Sequence, residues 1–169
     1  FFPSRNGHGY VARQGKVYRP RCDNQVYDIL IIDENGDLHI LERPKNTAIA
    51  AFEGTPINGF TFGPGLIVNG EVRRHEGDHF YAGEKPAQRM CLAQVGPLEY
   101  LCICSEGPED PGSVGMTLDQ FTDLVASFEG IQNAYNLDGG GSTTVIVRGD
   151  NQSFTVMNKP TDGGERKIS

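Results

Sequence analysis

Tyr135-Asn136-Leu137-Asp138-Gly139-Gly140-Gly141-Ser142-Thr143-Thr144-Val145-Ile146-Val147 is the stretch on which the reading of this chain turns. It reads as strand, sharp turn, strand. The apolar run before it and the β-branched run after it are sheet-like. Between them stand a carboxylate, three glycines and two hydroxyl residues. Glycine tolerates positive φ and allows close approach to the backbone. Amides of Gly139, Gly140 and Gly141 can therefore point into one concavity, which suits an anion. Ser142 and Thr143 add hydroxyl donors, and Asp138 places an acid beside them. A loose hairpin loop is the bland alternative, since Gly and Ser clusters mark loops. Flanks that read as buried sheet weigh against it.

Upstream, the one helix with clear signals follows Gly115-Met116-Thr117. Thr117 and Gln120 form a capping box. Leu118, Phe121, Leu124, Val125 and Phe128 fall at helical spacing, and Gly130 is the expected stop. This apolar stripe reads as core packing rather than a partner groove. Strands are expected at Tyr10–Arg13, Lys16–Arg19, Val26–Asp33, Asp37–Glu42, Gly59–Phe62, Leu66–Val68, Glu71–Arg73, Arg89–Gly96, Glu99–Ser105 and Ile131–Leu137. After the Gly-rich turn, Thr143–Arg148 and Ser153–Met157 complete the set. Thr47–Phe52 is Ala-rich and short, with helical character. Asn35-Gly36 and Asn69-Gly70 are hairpin signals. Asp33, Asn35 and Asp37 mimic a calcium loop, but the glycine is one place early and no Glu follows at the required distance. His75 and His79 are spaced for one helix face, yet Gly77 and Asp78 between them make an exposed loop the better reading. The predicted class is α+β: mainly antiparallel sheet with one long amphipathic helix packed on a face.

The totals agree with one domain. A chain of 169 residues can bury a core, and 22 glycines with 10 prolines imply many turns. A formal net charge of −7 argues against nucleic acid as a partner. No apolar stretch approaches the roughly 20 residues of a membrane span, and none has a signal-peptide pattern. Cys102 and Cys104 share a strand face, and Cys91 in the preceding strand can sit opposite one of them. Buried thiols are favoured over a disulfide, with Cys22 the fourth cysteine. No metal site and no cofactor is expected from these residues.

The segment from Asn136 to Thr143 closely resembles the signature of the phosphodiester glycosidase family. The resemblance extends to Gly115-Met116-Thr117-Leu118, to Phe62-Gly63-Pro64-Gly65-Leu66-Ile67-Val68-Asn69-Gly70 and to Arg89 through Gly96. Asn158-Lys159-Pro160 and Glu165-Arg166 also fit. Most of the chain is covered, the Gly-rich motif being the most specific part. In the family, the Phe1-Phe2 pair follows an Asn-Gly-Gly segment and an earlier strand, and a further strand follows the end. The resemblance thus implies a single domain over 1–169, with the missing strands on a longer polypeptide or an additional chain. It also implies a sugar-phosphodiester substrate, free or on a glycan, and an extracytoplasmic or secreted setting.

A sugar phosphodiester has two bonds to break. Attack at phosphorus usually recruits metal ions. Attack at the anomeric carbon expels a phosphomonoester that is stable as an anion and needs little proton donation. One carboxylate and donors for the phosphate suffice for that chemistry. Asp138 is the first candidate for the carboxylate, and Glu165, beside Arg166, is its rival. The ordinary role for Asp138 would be a turn-capping aspartate bonded to its own backbone. Arg89 and Arg166 are candidate phosphate clamps, since guanidinium forks match phosphate oxygens. Taken alone, each is more often a surface ion-pair partner. Ser142 and Thr143 would donate to phosphate or sugar oxygens, and Asn136 would orient the turn or a sugar hydroxyl. The competing class is a non-catalytic carbohydrate- or phosphate-binding module of adhesin type.

Overall fold

A computed structural model of the chain describes residues 9–21, 27–75, 83–108, 110–160 and 164–166. The expectations on Phe1-Phe2, Cys22, Val26 and His79 lie outside these residues. Two five-stranded antiparallel sheets dominate. The first has β1 (Val11–Arg13), β2 (Lys16–Arg19), β3 (Asp28–Asp33), β4 (Leu38–Leu41) and β5 (Pro56–Phe62), in the order β2-β1-β5-β3-β4. Helix α1 (Asn46–Ala50) lies between β4 and β5 in sequence. The second sheet has β6 (Gly65–Val68), β7 (Glu71–Val72), β8 (Arg89–Gly96), β9 (Glu99–Ser105) and β10 (Asn133–Leu137), in the order β7-β6-β10-β8-β9. Helix α2 (Leu118–Ala126) precedes β10, and β11 (Ile146–Arg148) pairs with β12 (Phe154–Val156) as a separate ribbon.

The period-2 patterning explains the layers. Along β3, Ile29 and Ile31 face one way, packing with Tyr10, Ala12 and α1 residue Ile49. Leu30 faces the other way and meets Leu38, Ile40, Val68 and Tyr135 between the two sheets. Beyond the second sheet, Cys91, Ala93 and Ala134 pack under Leu118, Phe121 and Val125 of α2. Helix α1, sheet, sheet and helix α2 thus stack as four layers around three apolar clusters.

The expected α+β class with one long amphipathic helix is overturned. Antiparallel sheet makes up most of the regular structure, and α2 is nine residues long. Its Thr117 capping box is formed and it buries Leu118, Phe121, Thr122 and Val125. Its end comes early because Ser127 competes there. The Ser127 hydroxyl donates to the Leu124 carbonyl at 2.6 Å, and its amide donates to both Asp123 and Leu124. Phe128 then bonds back only three residues, to Val125, and lies exposed, off the apolar stripe.

The first Asn-Gly signal is a hairpin between β3 and β4, with Gly36 at φ +87°. Asp33 turns its carboxylate onto that turn, accepting the Asn35 and Asp37 amides, both at 2.9 Å, and meeting His39 Nε2 at 3.0 Å. Cys91 pairs with Ile103, so Cys102 and Cys104 share the opposite face. All three are free thiols, Cys91 buried and Cys102 exposed, and burial pushes Cys91 up to about 12.

Candidate active site

The Gly-rich turn begins where β10, flanked by β6 and β8, leaves the sheet. Leu137 pairs with Met90, and continuing that register sets Asp138 across from Arg89. Gly139 and Gly140 then have distinct tasks. A Cβ on Gly139 would stand 2.4 Å from the Gln88 carbonyl oxygen, so only glycine lets the turn lie against β8. Gly140 takes φ +54° and donates its amide to that same carbonyl at 2.9 Å. Gly140–Ser142 forms one 3-10 turn, with the Ser142 amide on Gly139 and the Thr143 amide on Gly140. Three of the amides in the motif are thus engaged by the protein itself, rather than all facing an anion.

The segment after the turn does not rejoin the sheet. Asn158 grips it instead, donating to the Thr143 carbonyl at 2.9 Å and accepting the Val145 amide at 2.7 Å. Thr143 is buried, and its hydroxyl donates to the Asp138 carbonyl at 3.3 Å. The β11–β12 ribbon is exposed, Phe154 at 72%. Its β-branched run came from strand propensity, not burial, so the downstream flank of the motif is not the buried sheet the sequence suggested.

Asp138 is half-buried, and its carboxylate has no hydrogen-bond partner among the described residues; the turn-capping bond is not formed. Arg166 Nη1 donates to Ser142 Oγ at 3.1 Å, joining the end of the described chain to the turn. Glu165, exposed, lines a cleft with Val156, Asn158, Lys159, Pro160 and Gly164. Arg89 is placed differently. Its buried guanidinium donates to the carbonyls of Lys85 (2.7 Å) and Met116 (3.1 Å), and burial lowers its pKa. Asn136 is buried, donating its side-chain amide to Gly63 O at 2.9 Å and its main-chain amide to Pro64 O at 3.0 Å. Its Oδ1 has no hydrogen-bond partner among the described residues. The structure therefore gathers Gly139–Ser142, Glu165 and Arg166 around the turn. Arg89 and Asn136 are built into the strands beneath it.

Sequence reasoning gave no role to Gln88 or Asn158, which bond the turn segment, or to Glu106 and Lys159, which bond Gln88 and each other. Their partners lie as far as 71 residues away, between Gln88 and Lys159, and no spacing pattern reports such contacts. His75 is also more integrated than an exposed loop. Its Nε2 meets the Gly65 carbonyl at 2.9 Å and its amide donates to Asp119, while burial lowers its pKa.

The family model for phosphodiester glycosidases matches residues 1–169, the entire sequence. The chain belongs to the phosphodiester glycosidase family. No curated protein sequence matches it. Among solved structures, it is similar to the zebrafish N-acetylglucosamine-1-phosphodiester α-N-acetylglucosaminidase catalytic domain, described as auto-inhibited by its pro-peptide. The TM-score is 0.67 at 19% identity, over 95% of this chain and 54% of that one. The likeness shows a shared fold, and this family member spans about half the length of that relative.

Proposed function

We propose that this phosphodiester glycosidase family member hydrolyses the bond between a sugar anomeric carbon and phosphate in a sugar-1-phosphodiester. One observation carries the reading: in a chain matched to the family end to end, Asp138 presents a half-buried carboxylate that no described residue engages, four residues from the Ser142–Arg166 contact. In the reaction the C1–O bond breaks and its electron pair leaves with the phosphomonoester. Asp138 attacks C1, or takes the proton of the water that does. Arg166 and Ser142 hold the phosphate through charge-assisted hydrogen bonds, which strengthen as negative charge collects on the leaving oxygen. Glu165 is the rival carboxylate. Arg89 and Asn136 support the strand ends, and the substrate reaches the turn in an extracytoplasmic setting.

The test is sugar release from N-acetylglucosamine-α-phosphodiesters by the protein and by Asp138→Asn, with and without chelator. Chelator-resistant release that Asp138→Asn lowers by about 10³-fold or more supports the reading. Full activity in Asp138→Asn removes the assigned role, and Glu165→Gln then tests the rival. Saturable binding without turnover would point to a carbohydrate-binding module instead.

A further inference from the structure

The Gly-rich turn is held at both ends, and the two holds converge on one carboxylate outside it. At the near end, fully buried Gln88 accepts the Gly140 amide with its main-chain oxygen. At the far end, Asn158 grips Thr143 and Val145. Glu106 joins them. Its Oε2 accepts Gln88 Nε2 at 3.1 Å, and its two oxygens accept the Lys159 amide at 3.3 and 3.2 Å. Glu106 is itself anchored, its main-chain oxygen accepting the Ser113 hydroxyl at 3.2 Å. An ordinary surface carboxylate would take the Lys159 ammonium as its partner, but that group pairs with Asp110. The partners of Glu106 are instead two N–H groups, each on or next to a residue that bonds the turn.

We propose that Glu106 is a positioning residue for the reaction at this turn. It fixes the Gln88 side chain and the backbone at 158–159, and through them the placement of Asp138 to Thr143. This rests on the assignment of the turn as the active site. The role requires an acceptor at 106, not a titrating acid. Glu106→Gln keeps one oxygen for the Lys159 amide. With its amide oxygen in the place of Oε2, which accepts both Gln88 Nε2 and the Lys159 amide, it keeps both holds without moving Gln88. Glu106→Ala removes both holds.

The experiment compares kcat, KM and the pH profile of the protein, Glu106→Ala, Glu106→Gln and Asp138→Asn on an N-acetylglucosamine-α-phosphodiester. Hydrogen exchange of the Gly140 and Val145 amides is measured on each. Glu106→Ala should lower kcat by about a hundredfold, as small displacements of reacting groups do, with faster exchange at both amides. Glu106→Gln should restore most of kcat, the slow exchange and an unchanged pH profile. Equal loss of kcat in both variants, or a displaced limb of the pH profile in Glu106→Gln, overturns the proposal by giving the carboxylate a chemical role. Unchanged kcat and exchange in Glu106→Ala overturn it as well. Full activity in Asp138→Asn instead removes the site assignment on which it rests.

Discussion

At the scale of single residues, Gly139 and Gly140 of the motif are not interchangeable. Gly139 is required by proximity: an added Cβ would meet the Gln88 carbonyl, a main-chain atom that cannot swing away. Gly140 is required by its left-handed backbone, and no other described residue beyond its chain neighbours lies within 4 Å of a Cβ placed there. Gly139→Ala must therefore shift the turn away from β8 and break the Gly140–Gln88 bond. Sugar release should fall by about two orders of magnitude, as for other small displacements of reacting groups. Gly140→Ala should cost only the strain of positive φ, about 1 kcal/mol, read as a lower midpoint in urea with most activity kept. The motif was legible in the sequence as a glycine requirement. Which glycine serves contact and which serves conformation became clear only with Gln88 beside them.

At the scale of elements, the β3–β4 hairpin shows a carboxylate used for structure. Burial pushes the Asp33 carboxyl up, but hydrogen bonds from His39 and the Asp37 and Asn35 amides outweigh it, so its pKa is lowered. A lowered pKa in the folded state stabilises the protein above the unfolded value, near 3.9, and that contribution is lost as pH falls through the folded value. Asp33→Ala should therefore cost about 1–3 kcal/mol in denaturant unfolding at pH 7. The gap between the two proteins should shrink as the pH is lowered below 4, and a gap independent of pH would refute the assignment. Asn35-Gly36 announced this turn in the sequence. Helix α2 was announced as clearly, by Thr117, Gln120 and its apolar spacing, but its length was misjudged. The side chain that ends it, Ser127, acts through a local hydrogen bond that hydrophobic periodicity does not register.

At the scale of the whole molecule, the two sheets are joined by polar side chains as well as by apolar packing. Tyr135, from the second sheet, is fully buried between them. Its hydroxyl donates to Asp28 O and accepts the Phe62 amide, both at 2.8 Å, on paired residues of β3 and β5. Gln94 accepts the Leu38 amide at 2.8 Å and Asn133 donates to the Leu38 carbonyl at 2.9 Å, so both groups of one β4 residue are bonded across to the second sheet. Tyr135→Phe preserves the shape and deletes only the hydroxyl. It should lower stability by about 1–3 kcal/mol through the buried groups left behind, in a single cooperative transition. Separate transitions for the two sheets would show that these bonds do not couple them.

The sequence by itself determined the strands, the Asn-Gly turns, the α2 cap and the family of the Gly-rich motif. Each of these is written in neighbouring residues, through turn chemistry, period-2 alternation or a capping pair. Only the tertiary structure decided that the described chain has two five-stranded sheets, that β11 and β12 stand apart from both, that Gln88 and Asn158 bond the turn segment beside Asp138, and that Glu106 bonds Gln88 and the Lys159 amide. Those outcomes depend on residues 13 to 107 positions apart meeting in space. Strand propensity is alike for a buried strand and an exposed ribbon, and a glutamate that accepts two amides across the fold has no local signature.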